Sequence, residues 1–252
     1  MISYAYNRED VLLNRLFKDQ ETGFYVDVGA GKPVRGSVTK HFYDQGWRGV
    51  NVEPTRSLFT LLQAARPEDV NLNVALSFQP GSMEFYEFEE RHWALSTLDK
   101  RHAERHAETG RRYHTHEVRV KTLAEICEKH VSGEIDFMSI DVEGHELGVI
   151  QGADWRRWRP RCVVVEATQP NTQIPSHSEW EPLLLEAGYL FAYFDGLNRF
   201  YLRSEDAGLM ECFKTPVNVF DDFETFEARW QIDEARRELA AAKELQSGPG
   251  PA

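Results

Sequence analysis

Residues 24–31 (Phe-Tyr-Val-Asp-Val-Gly-Ala-Gly) decide the fold that this sequence predicts. The first five are aromatic or β-branched with one carboxylate, Asp27, which is the composition of a buried strand. Gly29 and Gly31 follow at once, and helix-like sequence resumes near Ser37. A buried strand that enters a glycine turn and then a helix builds a ligand site at the carboxyl edge of a parallel sheet, because the turn lets backbone approach the ligand.

The segments around this stretch alternate between helical and strand patterns, which predicts an α/β fold with a mostly parallel sheet and right-handed crossovers. Two further strands flank the turn Asp195-Gly196 and should form a closing antiparallel hairpin. Ser37 is the expected N-cap of the second helix. The predicted helices cover residues 9–18, 38–45, 56–65, about 145–151 and 180–187, and a further helix begins at Thr122. The predicted strands after residue 28 cover 48–53, 70–76, 81–88, 117–121, 135–140, 162–165, 189–194 and 199–203.

Two regions stand apart from this alternation. Residues 89–116 are rich in His, Arg and Glu. His102 and His106 are four residues apart, as metal ligands on a helix can be, but the surrounding arginines favour an amphipathic lid over the cleft. Residues 206–246 form a charged helical extension to a domain of residues 1–205, and residues 247–252 are predicted to be a disordered tail.

The C-terminal extension carries an apolar stripe at helical spacing. The stripe predicts either a homo-oligomer contact through the C-terminal helix or a helix packed on its own domain. Its members are Ile232, Ala235, Leu239, Ala242 and Leu245.

Composition limits the classes of partner. The 252 residues carry a formal net charge of −12, which disfavours nucleic acid because phosphate binding needs a basic face. The three cysteines are too far apart for a metal or disulfide framework. No apolar run approaches the ~20 residues of a membrane span, and the first ten residues lack a signal-peptide pattern. We therefore expect a cytoplasmic protein without a membrane span.

The second predicted strand ends in a carboxylate, Glu53, that follows the glycine turn at the spacing of a ribose-binding residue. A carboxylate offers two acceptor oxygens to a vicinal diol. Sites for NAD and for S-adenosylmethionine share this feature, but a dinucleotide turn needs a third glycine where this chain has Val34. Asp27, just before the turn, better fits a ligand with a cationic amino acid end.

A second constellation, residues 141–146 (Asp-Val-Glu-Gly-His-Glu), leaves the strand predicted at 135–140. His145 is a candidate base for a hydroxyl, because its reference pKa lies near neutrality, and Glu143 is a candidate for the same role or for orienting His145. Asp141 and Glu166, at neighbouring strand ends, are candidate ligands of a divalent cation such as Mg²⁺. The alternative is a solvated acidic rim with His145 as an ordinary residue of a helix N-terminus.

Several of these segments, taken in order, resemble FkbM-type S-adenosylmethionine-dependent methyltransferases, and the resemblance covers about residues 6–203. The last of them is the most specific. The segments are 7–13 (Asn-Arg-Glu-Asp-Val-Leu-Leu), 23–30 (Gly-Phe-Tyr-Val-Asp-Val-Gly-Ala), 37–39 (Ser-Val-Thr), 46–54 (Gly-Trp-Arg-Gly-Val-Asn-Val-Glu-Pro), 71–75 (Asn-Leu-Asn-Val-Ala) and 135–146 (Ile-Asp-Phe-Met-Ser-Ile-Asp-Val-Glu-Gly-His-Glu).

The resemblance implies a Rossmann-like class I methyltransferase fold, with a mostly parallel seven-stranded sheet, helices on both faces and a C-terminal antiparallel hairpin. It also implies methyl transfer from S-adenosylmethionine to a hydroxyl of a sugar, glycan or related natural product, assisted by a base in residues 141–146. Glu53 would bind the ribose, Ala75 and Leu76 the adenine, and Asp141 would lie near the reacting centre. The implied cofactor-binding set is Asp27, Gly29, Ala30, Gly31, Ser37, Glu53, Ala75, Leu76 and Asp141.

Two other functions remain open from the sequence. A methyltransferase-like domain can act as a non-catalytic scaffold that presents the insert or the C-terminal helix to a partner. A nicotinamide-dependent oxidoreductase on a related sheet is the third hypothesis, and Val34 counts against it.

Overall fold

The structure is a computed structural model that describes residues 1–246, with side chains described through residue 240. The disordered tail predicted for residues 247–252 lies outside the described residues. The strands are β1 (Ile2–Ser3), β2 (Phe24–Val28), β3 (Arg48–Val52), β4 (Val70–Leu72), β5 (Ala75–Leu76), β6 (Gly81–Phe88), β7 (Tyr113–Lys121), β8 (Phe137–Ile140), β9 (Cys162–Glu166), β10 (Tyr189–Phe194), β11 (Asn198–Arg203) and β12 (Glu224–Thr225). The α-helices are α1 (Glu9–Leu16), α2 (Lys40–Asp44), α3 (Arg56–Ala65), α4 (Lys100–Glu108), α5 (Leu123–His130), α6 (Glu146–Gln151), α7 (Glu181–Glu186) and α8 (Phe226–Gln246).

The main sheet has seven strands in the order β10-β11-β9-β8-β2-β3-β4. β4, β3, β2, β8 and β9 run parallel, whereas β11 is antiparallel to β9 and β10 is antiparallel to β11. The mixed α/β class predicted from the sequence is confirmed. From β2 the chain builds outward through β3 and β4, and it then returns to β8 on the other side of β2. The topological switch point therefore lies beside the glycine turn at residues 29–31.

Alternating side chains of the central strands supply two apolar cores, one on each face of the sheet. Tyr25 and Phe137 pack with α1 and α2 on one face. Val26 and Met138 pack with α5, α6 and α7 on the other. The helices on both faces leave the carboxyl ends of the strands as the open edge.

A second sheet of three strands, ordered β5-β7-β6, lies apart from the main one. The sequence predicted one strand over residues 70–76, but the chain breaks between β4 and β5. The side-chain amide of Asn73 donates to the backbone carbonyls of Glu53 and Pro54, at 3.0 and 2.7 Å, and this turns the chain away from the main sheet. Ala75 and Leu76 then pair with Val120 and Lys121.

Two predicted boundaries need correction. β7 begins at Tyr113 and not at residue 117, because the alternating residues of 113–121 pair with the whole of β6. The helix predicted over 38–45 is shortened to α2, which begins after Thr39 without a side-chain cap. The Ser37 hydroxyl accepts instead from the buried guanidinium of Arg66.

The C-terminal extension is tied to the body by its first part. Phe213 is buried in the core on the α1 face of the sheet. Asp221 pairs with Arg15 at 2.6 Å, and β12 pairs with β1. Farther along α8, Leu239 is half exposed. The division at residue 205 and the oligomer contact stay predictions. Among the described residues, no helix is long and apolar enough to cross a bilayer.

Candidate active site

A cavity of about 710 Å³ opens at the carboxyl ends of β2, β3, β8 and β9. Its size is within the usual range for small-molecule sites. Most of the residues singled out from the sequence line it, namely Gly29, Ala30, Gly31, Glu53, Ala75, Leu76, Asp141, Glu143, His145 and Glu166.

The glycine turn brings β2 and β8 into close contact. Gly29 and Gly31 have positive φ angles of 82° and 59°. A Cβ on Gly29 would lie 1.8 Å from the carbonyl oxygen of Asp141, and one on Gly31 would lie 2.7 Å from the ring of Trp93. Glycine is therefore required at both positions by the backbone and by its neighbours.

Glu53 holds this turn in place. One carboxylate oxygen accepts from the backbone N–H of Gly31 at 2.9 Å, and the other accepts from the N–H of Thr55 at 2.7 Å. Burial raises the pKa of Glu53 to about 7, against the effect of these two donors. Each oxygen keeps a second lone pair, so the carboxylate can still accept from hydroxyl groups in the cavity.

Asp27 and Ser37 do not line the cavity. Asp27 accepts from the Thr39 hydroxyl at 2.7 Å, and the guanidinium of Arg66 donates to both Thr39 and Ser37. Arg66 also donates to the carbonyl of Pro33, and burial raises the pKa of Asp27. The direct cofactor contact predicted for Asp27 and Ser37 has no support in this geometry, which places both in an anchor beneath the loop.

Part of the cavity lining is an apolar wall. It begins with the short strand β5, whose Ala75 and Leu76 were assigned to adenine from the family resemblance. Around them the wall is completed by Leu58, Val74 and Phe85.

The other side of the cavity is acidic. The carboxylate oxygens of Asp141, Glu143 and Glu166 lie within 4.8 Å of one another. Burial and mutual repulsion raise the pKa of Glu143 and of Glu166 well above the ordinary value, and burial raises that of Asp141 to about 6. Glu166 is buried, and its Oε2 has no hydrogen-bond partner among the described residues. Such a group of carboxylates favours a cation or shared protons.

The loop after β8, which carries Glu143, has an unusual backbone conformation. Glu143 has a φ of 55°, in the left-handed region that costs a non-glycine residue energy, and Gly144 follows at 97°. Glu146 braces the loop, since its Oε1 accepts from the N–H groups of Val142 and Gly144. Glu146 is therefore a structural member of the acidic run.

His145 faces the cavity from the start of α6. Its Nε2 lies 2.9 Å from the Ser77 hydroxyl, and its ring rests on Gly148. Burial lowers the pKa of His145, which keeps the imidazole neutral. Ser77 was missed from the sequence, although it directly follows a predicted strand.

The insert covers the cavity with the segment between β6 and α4. Trp93, Leu95 and Ser96 line the cavity, and the Thr97 hydroxyl donates to the backbone carbonyl of Glu143 at 2.8 Å. The two histidines that had metal-like spacing are used for packing. The His102 ring rests on Gly144, and His106 is buried against Phe88, with 6.0 Å between ring centroids.

Sequence reasoning also missed residues from more distant parts of the chain. Tyr6, Asn171, Thr172 and Gln173 line the cavity. The last three follow β9, where the rule that ligands bind outside the carboxyl ends of strands could have found them. No feature of the sequence around Tyr6 indicates that it lines the cavity.

Comparison with known families gives one result. The family model for the methyltransferase FkbM domain matches residues 27–191, from within β2 into β10. No curated protein matches the chain in sequence. The matched segment includes the glycine turn, Glu53, the insert and the acidic side of the cavity, and the chain therefore belongs to the methyltransferase FkbM domain family.

Proposed function

We propose that this chain is an S-adenosylmethionine-dependent O-methyltransferase that acts on a hydroxyl of a sugar, glycan or related natural product. Membership of the FkbM methyltransferase family supports methyl transfer. The remainder is supported by one observation: a single cavity is lined both by the Glu53 carboxylate, which can accept from a vicinal diol, and by the His145 imidazole.

The residues present fit the cofactor. Glu53 offers acceptor oxygens for ribose hydroxyls, and the wall formed by Leu58, Val74–Leu76 and Phe85 offers apolar surface for an adenine ring. The glycine turn leaves room for a ligand next to the backbone. These features argue for an adenosyl ligand.

The charge of the cavity favours a sulfonium cofactor over a dinucleotide. Among the described residues that line it, Lys32 is the only lysine or arginine. Four carboxylates oppose it, those of Glu53, Asp141, Glu143 and Glu166. A cationic sulfonium would favour the ionised form of these carboxylates and be attracted by it, whereas a pyrophosphate would be repelled by every carboxylate that is ionised.

S-adenosylmethionine would supply a methyl group on a positively charged sulfur, for in-line attack by an oxygen. The chain must hold the acceptor hydroxyl and remove its proton. His145 is suited to that step because it is neutral and Ser77 fixes the orientation of its ring. Glu143 is the alternative candidate for the base. The polar side chains of Ser96, Asn171 and Gln173 line the same cavity and can hydrogen-bond a polyhydroxylated acceptor.

Methyl transfer from labelled S-adenosylmethionine to a panel of sugars, glycans and hydroxylated natural products tests this proposal. We expect label in an alkali-stable ether. Label in an alkali-labile ester, or on nitrogen or sulfur, would contradict O-methylation. Cofactor binding without transfer to any member of the panel would favour the non-catalytic scaffold.

We also propose that Asp141 and Glu166 bind a hard divalent cation such as Mg²⁺ beside the reacting centre. The support is the closeness of their oxygens and the unpartnered Oε2 of Glu166. Chelation should lower turnover at least about tenfold, with recovery on adding Mg²⁺. Glu166→Gln should abolish the response to Mg²⁺. Full activity in excess chelator would end this proposal.

A further inference from the structure

The hairpin of β6 and β7 carries a second group of side chains with metal-binding chemistry, outside the cavity. Glu87 on β6 is the register partner of His114 on β7. His116 lies two residues beyond His114, so both imidazoles project from the same face of the strand. On that face Phe85 and Val118 are buried, and the three polar side chains occupy its outer end.

The three ligand atoms converge. Oε2 of Glu87 lies 3.7 Å from Nε2 of His114 and 3.6 Å from Nε2 of His116. The two rings are nearly parallel, at 20° with centroids 5.4 Å apart. One ligand atom of each of the three residues lies within 4.8 Å of the other two. In a tetrahedral site with bonds of about 2.0–2.2 Å, neighbouring ligand atoms are about 3.4 Å apart, so the two distances from the Glu87 oxygen exceed that spacing by only a few tenths of an ångström.

These distances are too long for hydrogen bonds between the histidines and the carboxylate. The group is therefore not held together by a shared proton, although one carboxylate and two imidazoles face each other. The backbone beneath them is an unbroken antiparallel ladder from Gly81–Val120 to Phe88–Tyr113. A rigid ladder fixes the spacing of the ligands before any ion arrives.

We propose that Glu87, His114 and His116 form a binding site for a divalent transition-metal ion of the zinc class. Two imidazoles and a carboxylate suit Zn²⁺ and its neighbours better than Mg²⁺ or Ca²⁺. Three protein ligands leave a fourth position for water or another donor. His114 and His116 are partly exposed, so an ion can reach them from solvent.

An ion bound at this site would affect the lid, residues 89–116, without entering the cavity. Phe85, whose ring meets the edge of His116 at 5.8 Å, also lines the cavity. Glu87 lies near the end of β6, just before the segment that carries Trp93. An ion that clamps Glu87 to β7 would fix the point at which the lid segment leaves the hairpin.

Titration of the chelator-treated full chain with ZnCl₂ by calorimetry, and with CoCl₂ by visible absorption, tests the assignment. We expect a site on the hairpin that remains in Glu166→Gln, with Co²⁺ bands typical of four-coordination. His114→Ala, His116→Ala and Glu87→Gln should each weaken binding at least about tenfold. Glu117→Gln is the matched control, because it removes a carboxylate next to His116 that points to the other face of β7.

Two results would overturn the proposal. One is wild-type binding of both ions after His114→Ala and His116→Ala. The other is loss of binding with Glu166→Gln alone, which would place the ion among the cavity carboxylates. Circular dichroism of each variant establishes that the hairpin still folds. The test needs no methyl acceptor, so its outcome does not depend on the proposed function.

Discussion

The two sides of the cavity differ in how their carboxylates are paired. On the glycine-turn side, both oxygens of Glu53 accept backbone N–H groups. On the acidic side, the carboxylates of Asp141, Glu143 and Glu166 lie close together, and Oε2 of Glu166 has no hydrogen-bond partner in the part of the chain that the structure describes. The first side is complete without a ligand, whereas the second holds charge that protons or a cation must balance. In the proposed function, the first side binds the cofactor with preformed geometry, and the second side supplies the charged groups near the reacting centre.

The two sides of the cavity also differ in backbone conformation. The first side reaches positive φ with glycine, at Gly29 and Gly31. The second side places Glu143 in the left-handed region, which costs of order 1–3 kcal/mol. The Thr97 hydroxyl, which donates to the Glu143 carbonyl, helps to hold that conformation. Strain is thus concentrated next to the proposed base.

The largest effect is expected for a substitution at Gly29, where the two sides of the cavity are in contact. Gly29→Ala puts a Cβ against the carbonyl of Asp141, in addition to the left-handed backbone cost. We expect a loss of more than about 3 kcal/mol of stability and no measurable cofactor binding. Thermal unfolding and calorimetry measure the two effects.

Gly46→Ala is the control for this substitution. Gly46 has a φ of 92°, and nothing lies within 4 Å of the position that a Cβ would take, so only the backbone cost of about 1–2 kcal/mol applies. Equal losses for the two variants would mean that the contact of Gly29 with Asp141 is not a constraint.

The next effect separates chemistry from binding. His145→Ala should lower kcat by about 10²- to 10⁴-fold, because the acceptor proton loses its base, with cofactor affinity unchanged. Ser77→Ala should lower kcat less and alter its pH profile, because Ser77 acts through His145. If Glu143→Gln removes activity and His145→Ala does not, Glu143 is the base.

A smaller effect is expected on the binding side. Glu53→Gln keeps the shape of the side chain but places an NH₂ against one backbone N–H. We expect S-adenosylmethionine to bind about 10- to 100-fold more weakly, because hydrogen bonds to a charged acceptor are lost. Asp27→Asn is the matched control. It should leave affinity near that of the wild type, and a comparable loss there would show that the cofactor reaches Asp27.

The smallest effect is a pH dependence of binding. The pKa of Glu53 is raised to about 7 by burial, with Asp27 adding to the shift, so the group is protonated in the free protein below that pH. The Glu53 carboxyl must then lose its proton before both of its oxygens can accept hydrogen bonds from the ribose hydroxyls. Affinity should rise from pH 6 to pH 8, by at most about tenfold per pH unit, and level off above. Asp141, whose pKa is raised to about 6, titrates nearby, and Glu53→Gln isolates the contribution of Glu53. An unchanged slope in that variant would assign the effect to another group.

Strand ends were the part of the site that sequence could predict. Glu53, Asp141 and Glu166 each lie at or just after the carboxyl end of a buried apolar run, and parallel strands bring such ends together. Asp27 lies away from the cavity lining for a local reason. It lies inside β2, where alternation turns its side chain to the Thr39 side of the sheet.

Other features depend on contacts between distant residues. The anchor built by Arg66 joins residues 27 positions or more apart, to Thr39 and Pro33. The break after β4 depends on the Asn73 side chain, and the early start of β7 depends on its pairing with β6. Periodicity along the chain carries no information on such partners, so these boundaries were wrong by several residues.

Calorimetric titration of the wild-type chain with S-adenosylmethionine, and separately with NAD, tests the central claim most directly. We expect one S-adenosylmethionine site per chain, weakened by Glu53→Gln, and no heat from NAD. Binding of NAD in its place, or no binding of S-adenosylmethionine at millimolar concentration, would contradict it.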